Sequence, residues 1–242
     1  MQKQVEIKTL KTYQMDRHGT LRPIMLMNEL QAIADTHAEK FGRGRTYCAE
    51  NNCAWVVTHY LIEIDEMPAE GQELEFSTWP SGRDALRAIR DFRIRDALSG
   101  AELVRATSQW VMIDLDARRP MRLDSIMGGW DTIHERALDR EFDKFPDFAA
   151  DAFMAVRPRF DDVDVNQHIN NAVYAVWATE SLGFEFRDAH KLRGLAINFK
   201  KEIKAGVSEV VIESKLDGAV SRHMIKSNDT EHANVICEWE EF

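Results

Sequence analysis

The chain carries one helix-and-strand pattern twice, and that repeat constrains its fold more than any single motif does. From Pro23 to Phe41, the residues Leu26, Leu30, Ile33, Ala34, His37 and Phe41 recur at helical spacing, with Pro23 suited to the first turn and Gly42 to the C-cap. Strand-like runs follow at about 54–65, 72–79, 86–96 and 102–115, parted by turn signals such as Ala69-Glu70-Gly71 and Leu98-Ser99-Gly100. The same order then returns. A stripe of Ile169, Val173 and Trp177 ends at Gly183 and is followed by strands at about 192–201, 207–216, 222–228 and 233–240. Leu61-Ile62-Glu63-Ile64 falls on Ala196-Ile197-Asn198-Phe199, Gly71 on Gly206 and Trp110 on Trp239. A helix followed by a strand meander predicts an antiparallel sheet wrapping one helix, an α+β unit used twice.

The expected division is a first domain over 1–117, a connection over 118–155 and a second domain over 156–242. Within the connection, Gly128-Gly129 is a break and Asp131 to Leu138 reads as a charged surface helix behind an aspartate cap. No window approaches the roughly 20 apolar residues that span a bilayer. The start, Met1-Gln2-Lys3-Gln4-Val5-Glu6-Ile7, has neither a signal-peptide core nor transit-peptide character, so a soluble cytoplasmic protein is expected. Cys48, Cys53 and Cys237 form no C-x-x-C and leave one unpaired, against a disulfide framework or zinc site. A formal charge of −10 argues against nucleic acid, which needs a basic face.

The chemistry concentrates in Phe160-Asp161-Asp162-Val163-Asp164-Val165-Asn166-Gln167-His168-Ile169-Asn170-Asn171, which runs into the apolar stripe. Asp164, Asn166 and His168 stand two residues apart ahead of a helix N-terminus, where unpartnered N–H groups and the helix dipole favour developing negative charge. Asp161 and Asp162 read as turn formers, and Asn170 and Asn171 as builders of the helix start. The repeat separates the halves. Met67 and Pro68 stand where the second copy has Glu202 and Ile203, and Asp16-Arg17-His18-Gly19-Thr20-Leu21 lacks the D-x-N-x-H spacing.

The run D-x-N-x-H-x-N-N-x-x-Y-x-x-W-x-x-E resembles the hot-dog thioesterases, and most closely the acyl-acyl-carrier-protein (acyl-ACP) thioesterases of the plant FatA/FatB type and their bacterial relatives. Leu26-Met27-Asn28-Glu29-Leu30-Gln31, Trp55-Val56-Val57-Thr58 and Arg105-Ala106-Thr107-Ser108-Gln109-Trp110-Val111-Met112 are similar to that family's N-terminal half, so the resemblance covers most of the chain. It implies a double hot dog and hydrolysis of acyl-ACP to a free fatty acid. The implied catalytic residues are Asp164, Asn166, His168 and Glu202, with no metal or redox cofactor. His168 or Glu202 would activate water, Asn166 would orient the imidazole or the water, and Asp164 would orient the network or attack directly. Backbone N–H groups near Ile169 to Asn171 would polarise the carbonyl. Plant members carry a cysteine beside the glutamate; here that residue is Ile203, which excludes a cysteine nucleophile at this position. The rival readings are an acyl-CoA thioesterase and a non-catalytic acyl-binding protein on the same fold.

The N-terminal copy is then expected to hold the acyl chain, with Met25, Met27 and Trp55 as wall residues and Asn170 and Asn171 near the substrate. The partner is an acyl carrier protein with its acyl-phosphopantetheine, with no nucleic acid or membrane, the protein being monomer or homodimer. An acidic carrier needs a local basic dock, for which Arg118, Arg119, Arg122, Lys200, Lys201 and Lys204 are candidates. His37 is expected as a packed core histidine, and Trp55, Trp79, Trp110, Trp177 and Trp239 are by default core residues. Gly42-Arg43-Gly44-Arg45 follows a helix C-terminus, the wrong dipole end for a phosphate, and reads as a cap.

Overall fold

The computed structural model describes residues 2–126 and 131–242, so the glycine break at Gly128-Gly129 lies outside the described residues. Two compact units divide the chain, Met1–Arg22 with Asn28–Glu141, and Pro23–Met27 with Phe142–Phe242. The first sheet is antiparallel in the order β1 (Gln4–Thr9), β3 (Glu73–Arg83), β4 (Arg87–Asp96), β5 (Glu102–Asp114), β2 (Cys53–Ile64), with β6 (Arg119–Pro120) on β5. Helices α1 (Pro23–Lys40), α2 (Arg45–Glu50) and α3 (Leu123–Ile126) accompany it. The second sheet repeats the topology as β7 (Ala152–Val156), β9 (Val210–Asp217), β10 (Val220–Ser227), β11 (Thr230–Glu241), β8 (His190–Phe199), with α4 (Asn171–Glu180) and α5 (Phe184–Ala189). This is the expected double hot dog.

The repeat holds at the level of strand register. Trp110 faces Val57 in the first sheet and Trp239 faces Leu192 in the second, as the sequence overlay requires. Beside each tryptophan one extra residue bulges, Thr58 in β2 and Arg193 in β8. A second pair of bulges falls at Leu103 and His232. An extra residue leaves the ladder unpaired and bends the strand, so matched bulges mean matched curvature around the helix. Gly71 and Gly206, equated by sequence, both sit at positive φ, 76° and 89°, a region glycine enters without steric cost.

Helix α4 buries its apolar stripe against the second sheet. In α4 the buried side chains include Val173, Tyr174, Ala175 and Trp177, and the helix meets β9, β10 and β11. In α1, Leu30, Ile33 and Ala34 are buried, and His37 accepts at Nδ1 from Arg90 of β4 at 2.9 Å. Phe41 caps α1, and Gly42 follows at φ 64° as the cap reading expects. Trp79, Trp177 and Trp239 are buried, while Trp55 and Trp110 are only partly so.

Two expectations are corrected. Residues 131–138 are not helical. Ile133, Ala137 and Leu138 imitate helical spacing, but the backbone is taken up by the first sheet: Ile133 N–H donates to Pro80 O at 2.9 Å, Ala137 N–H to Asp91 Oδ2 at 2.9 Å, and Trp79 Nε1 to Glu135 O at 2.8 Å. The segment is a strap along β3 and β4. The expected connection also ends inside a strand, because residues 152–155 belong to β7, which pairs with β9.

Burial holds two histidines neutral. His37, 1% exposed, is lowered to about 4 by burial and then by the neighbouring Arg90 charge. His223 is lowered to about 3 by burial, among Ser181, Ser214 and Ser221. Both fall below the unfolded value of about 6.5, so the unfolded chain takes up their protons first as pH drops. Stability is therefore full above pH 6.5 and is lost between there and about 4 or 3. Melting temperature measured against pH should fall through that window. His223→Phe, which copies Phe92 at the matching place in the first sheet, should flatten the slope.

Candidate active site

The polar loop enters the second unit through a single turn of 3-10 helix, Phe160–Asp162. Buried Asp162 accepts Arg159 N–H at 2.8 Å and Arg159 Nη2 at 2.7 Å, which closes that turn. Asp164 shapes the next one. Its Oδ1 accepts Asn166 N–H at 2.8 Å and His168 N–H at 3.3 Å, and its Oδ2 accepts Asn166 Nδ2 at 3.3 Å. Gln167 takes φ 64°, an unfavourable conformation for a residue with a Cβ, of the kind found at functional loops.

Two backbone bonds lay this loop against the segment after β8. Ile169 N–H donates to Ile203 O at 2.8 Å and Ala205 N–H to Gln167 O at 2.9 Å, and together they form the bridge between His168 and Lys204. That pairing sets His168 beside Glu202, with Nε2 and Oε1 3.5 Å apart and both side chains partly exposed. The separation is long for a direct hydrogen bond. The pair can instead share a water or a reacting oxygen between them.

The helix start supplies one donor. Ile169 N–H is spent on Ile203 O, Asn170 N–H on Asp162 O, Ala172 N–H on Asn170 Oδ1 and Val173 N–H on Asn170 O. Among the described residues of this stretch, the Asn171 N–H alone has no intramolecular acceptor. Asn170 is therefore the N-cap, and Asn171 contributes a backbone donor at the positive end of α4. The sequence placed polarising N–H groups near Ile169 to Asn171, and the bonding pattern narrows them to one.

The first copy is a built-in comparison, since its loop has the same backbone. Asp16 Oδ1 accepts His18 N–H at 2.9 Å and Thr20 N–H at 3.1 Å, Leu21 N–H donates to Pro68 O at 2.7 Å, and Glu70 N–H to Gly19 O at 3.0 Å. Gly19, at φ 72°, takes the place of Gln167. On that frame Asp164 is kept as Asp16, while Asn166 becomes His18, His168 becomes Thr20 and Glu202 becomes Met67. At the helix start, Pro23 stands for Asn171 and offers no N–H. The two aspartates thus shape their loops in the same way.

A second feature lies within the first unit. A cleft of about 40 Å³ is lined by Ala34 and Ala38 of α1, Trp55 of β2, Ala88 and Arg90 of β4 and Trp110 of β5. Met25 and Met27 do not line this cleft, and Met27 is a core side chain at 2% exposure. Arg90, buried, closes one side and donates from Nη1 to His37 and Thr78.

Two similar hot-dog units with one equipped polar site define a class of protein. The acyl-ACP thioesterase N-terminal domain family matches residues 3–127 and its C-terminal domain counterpart residues 147–241, and the chain belongs to that family. It is 27% identical over 212 residues to the oleoyl-acyl carrier protein thioesterase 1, chloroplastic, of Arabidopsis thaliana, covering 80% of this chain and 58% of that one. It is 30% identical over 210 residues to the acyl-[acyl-carrier-protein] hydrolase FATB3, chloroplastic, of Cuphea viscosissima, covering 81% and 51%. The chain thus spans little more than half the length of these relatives. The same fold is seen in a putative oleoyl thioesterase from Lactobacillus plantarum, with TM-score 0.90, 24% identity and coverage of 100% and 97%. The 12:0-ACP thioesterase from Umbellularia californica gives 0.88, 23%, 99% and 98%.

The loop-forming account of Asp164 has a direct test. Asp164→Asn keeps an acceptor at Oδ1 and should retain kcat within about tenfold, whereas Asp164→Ala should lose on the order of 10²-fold. Equal inactivity of both variants in a steady-state assay would mean that the charge itself is needed.

Proposed function

We propose that the protein hydrolyses the thioester of acyl-ACP, releasing a free fatty acid, with the chemistry in the second copy and the acyl chain held by the first. The carrying observation is that, of two copies built on one backbone, only one holds His168 opposite Glu202 with an unused N–H at Asn171.

In this reading the Asn171 N–H donates to the thioester carbonyl oxygen, whose negative charge grows as the carbon becomes tetrahedral. Water held between His168 and Glu202 attacks that carbon and gives its proton to this pair. The tetrahedral intermediate collapses, the carbon–sulfur bond breaks, and the pantetheine sulfur takes the proton. Asp164 and Asn166 keep the loop in register. Direct attack by Asp164 fits less well, since both its oxygens already accept hydrogen bonds.

Turnover of a panel of acyl-ACPs and the matching acyl-CoAs by the purified protein tests the activity and separates the two carriers. His168→Ala and Glu202→Ala should each lower kcat on the order of 10²-fold. Wild-type turnover by Glu202→Ala would remove that residue from the mechanism.

The cleft of about 40 Å³ has room for only the tip of an acyl chain, and narrowing it tests whether the tip lies there. Ala38→Leu keeps a good helix former while filling the cleft. Each methylene excluded from apolar surface costs about 0.8 kcal/mol. The product profile, measured by gas chromatography, should move toward shorter acids, and an unchanged profile would take the acyl chain out of this cleft.

Carrier docking must overcome a net charge of −10. Of the sequence candidates, Lys200 is paired with Glu231 and Arg122 with Asp124. Lys201 and Lys204 flank Glu202, are exposed, and have no acidic partner among the described residues. Within a Debye length of about 8 Å such charges act on an incoming acidic surface. Lys201→Glu with Lys204→Glu should raise KM for acyl-ACP more than for acyl-CoA. Equal changes on both substrates would count against a carrier dock here.

A further inference from the structure

The second copy contains one more polar substitution that the mechanism above does not use. Tyr174 lies in the first turn of α4, is 2% exposed, and its hydroxyl accepts the buried Ile203 N–H at 3.3 Å. Ile203 is the residue after Glu202, and its carbonyl already accepts from Ile169. Ile203 is thus held at both of its main-chain groups, at the N–H by the helix through Tyr174 and at the carbonyl by the loop through Ile169. Tyr174 is also within electrostatic reach of Glu202 and Asp164, which together with burial raise its hydroxyl well above the ordinary range.

The first copy replaces both members of this contact. Leu26 takes the place of Tyr174 and Pro68 the place of Ile203, while Met67 takes the place of Glu202. A proline has no N–H, so nothing there needs a hydroxyl acceptor and leucine leaves no buried donor unmet. The loop pairing survives without the tyrosine, as Leu21 N–H still donates to Pro68 O at 2.7 Å. The hydroxyl is therefore not required to form this fold. It is present where the neighbouring residue is a glutamate that faces a histidine.

We propose that Tyr174 is a positioning residue for the hydrolysis, acting through Glu202: by holding the Ile203 N–H it fixes the backbone from which the carboxylate reaches His168. The proposal rests on the assignment of Glu202 to the chemistry. A displacement of about 1 Å at a reacting group is enough to cost on the order of 10²-fold in rate, so a single backbone anchor can matter at this scale.

The test is a double-mutant cycle on the full chain, with acyl-ACP as substrate and stoichiometric enzyme in single turnover so that slow variants remain measurable. Tyr174→Phe should lower the rate by about tenfold with KM for acyl-ACP little changed. In a Glu202→Gln background the same substitution should have no further effect, because it acts through the missing carboxylate. An equal factor in both backgrounds, or no loss in Tyr174→Phe, would overturn the proposal. Full activity of Glu202→Gln alone would instead overturn the assignment on which it rests. If Tyr174→Phe melts below the assay temperature, Tyr174→Leu with Ile203→Pro copies the first copy's own pair. That variant should fold and turn over slowly, and wild-type turnover by it would equally sink the proposal.

Discussion

The donation of Ile169 N–H to the Ile203 carbonyl, at 2.8 Å, is the bond on which the site depends. It joins two segments more than thirty residues apart in sequence, and neither carries catalytic geometry alone. The loop delivers His168, the strand end delivers Glu202, and the bond sets them side by side. Its counterpart in the first copy, Leu21 N–H to Pro68 O, is equally short at 2.7 Å. The frame is therefore a property of the fold, and the chemistry is a set of residues placed upon it.

That separation explains what sequence could and could not show. The eight strands of the two meanders were legible from alternation and turn residues, and their register follows from overlaying Trp110 on Trp239. The edge strands β1 and β7 were not. Gln4–Thr9 and Ala152–Val156 are short, and only pairing with β3 and β9 makes them strands. Residues 131–138 went wrong for a related reason, since an aspartate cap and a charged run suggested a surface helix while Asp91 and Pro80 claimed the backbone. Asp164, His168 and Glu202 could be picked out because side chains have letters. The N–H groups from Ile169 to Asn171 could be named as a set, but which of them lacks an acceptor could not, because that depends on what their neighbours already use.

Charge is arranged locally against the global balance. A chain at −10 spends many of its cations in pairs with carboxylates, such as Arg93 with Glu102 and Glu135, and Lys226 with Glu213. Lys201 and Lys204, around Glu202, stand outside the ion pairs seen among the described residues. Burial is used in the opposite sense at Arg90, whose pKa is lowered to about 10 and whose fork is held by His37 and Thr78, so the cleft is apolar on some walls and cationic on one.

The prolines of the first copy reach further than the side chains they replace. Restoring a histidine at Thr20 and a glutamate at Met67 would recreate the visible pair, yet Pro23 would still withhold the donor for the carbonyl and Pro68 the anchor behind the glutamate. Neither loss can be repaired by a side chain, because what is missing is a hydrogen on the main chain. On the proposed mechanism the two halves are committed to different work, and a double-headed enzyme is not one substitution away.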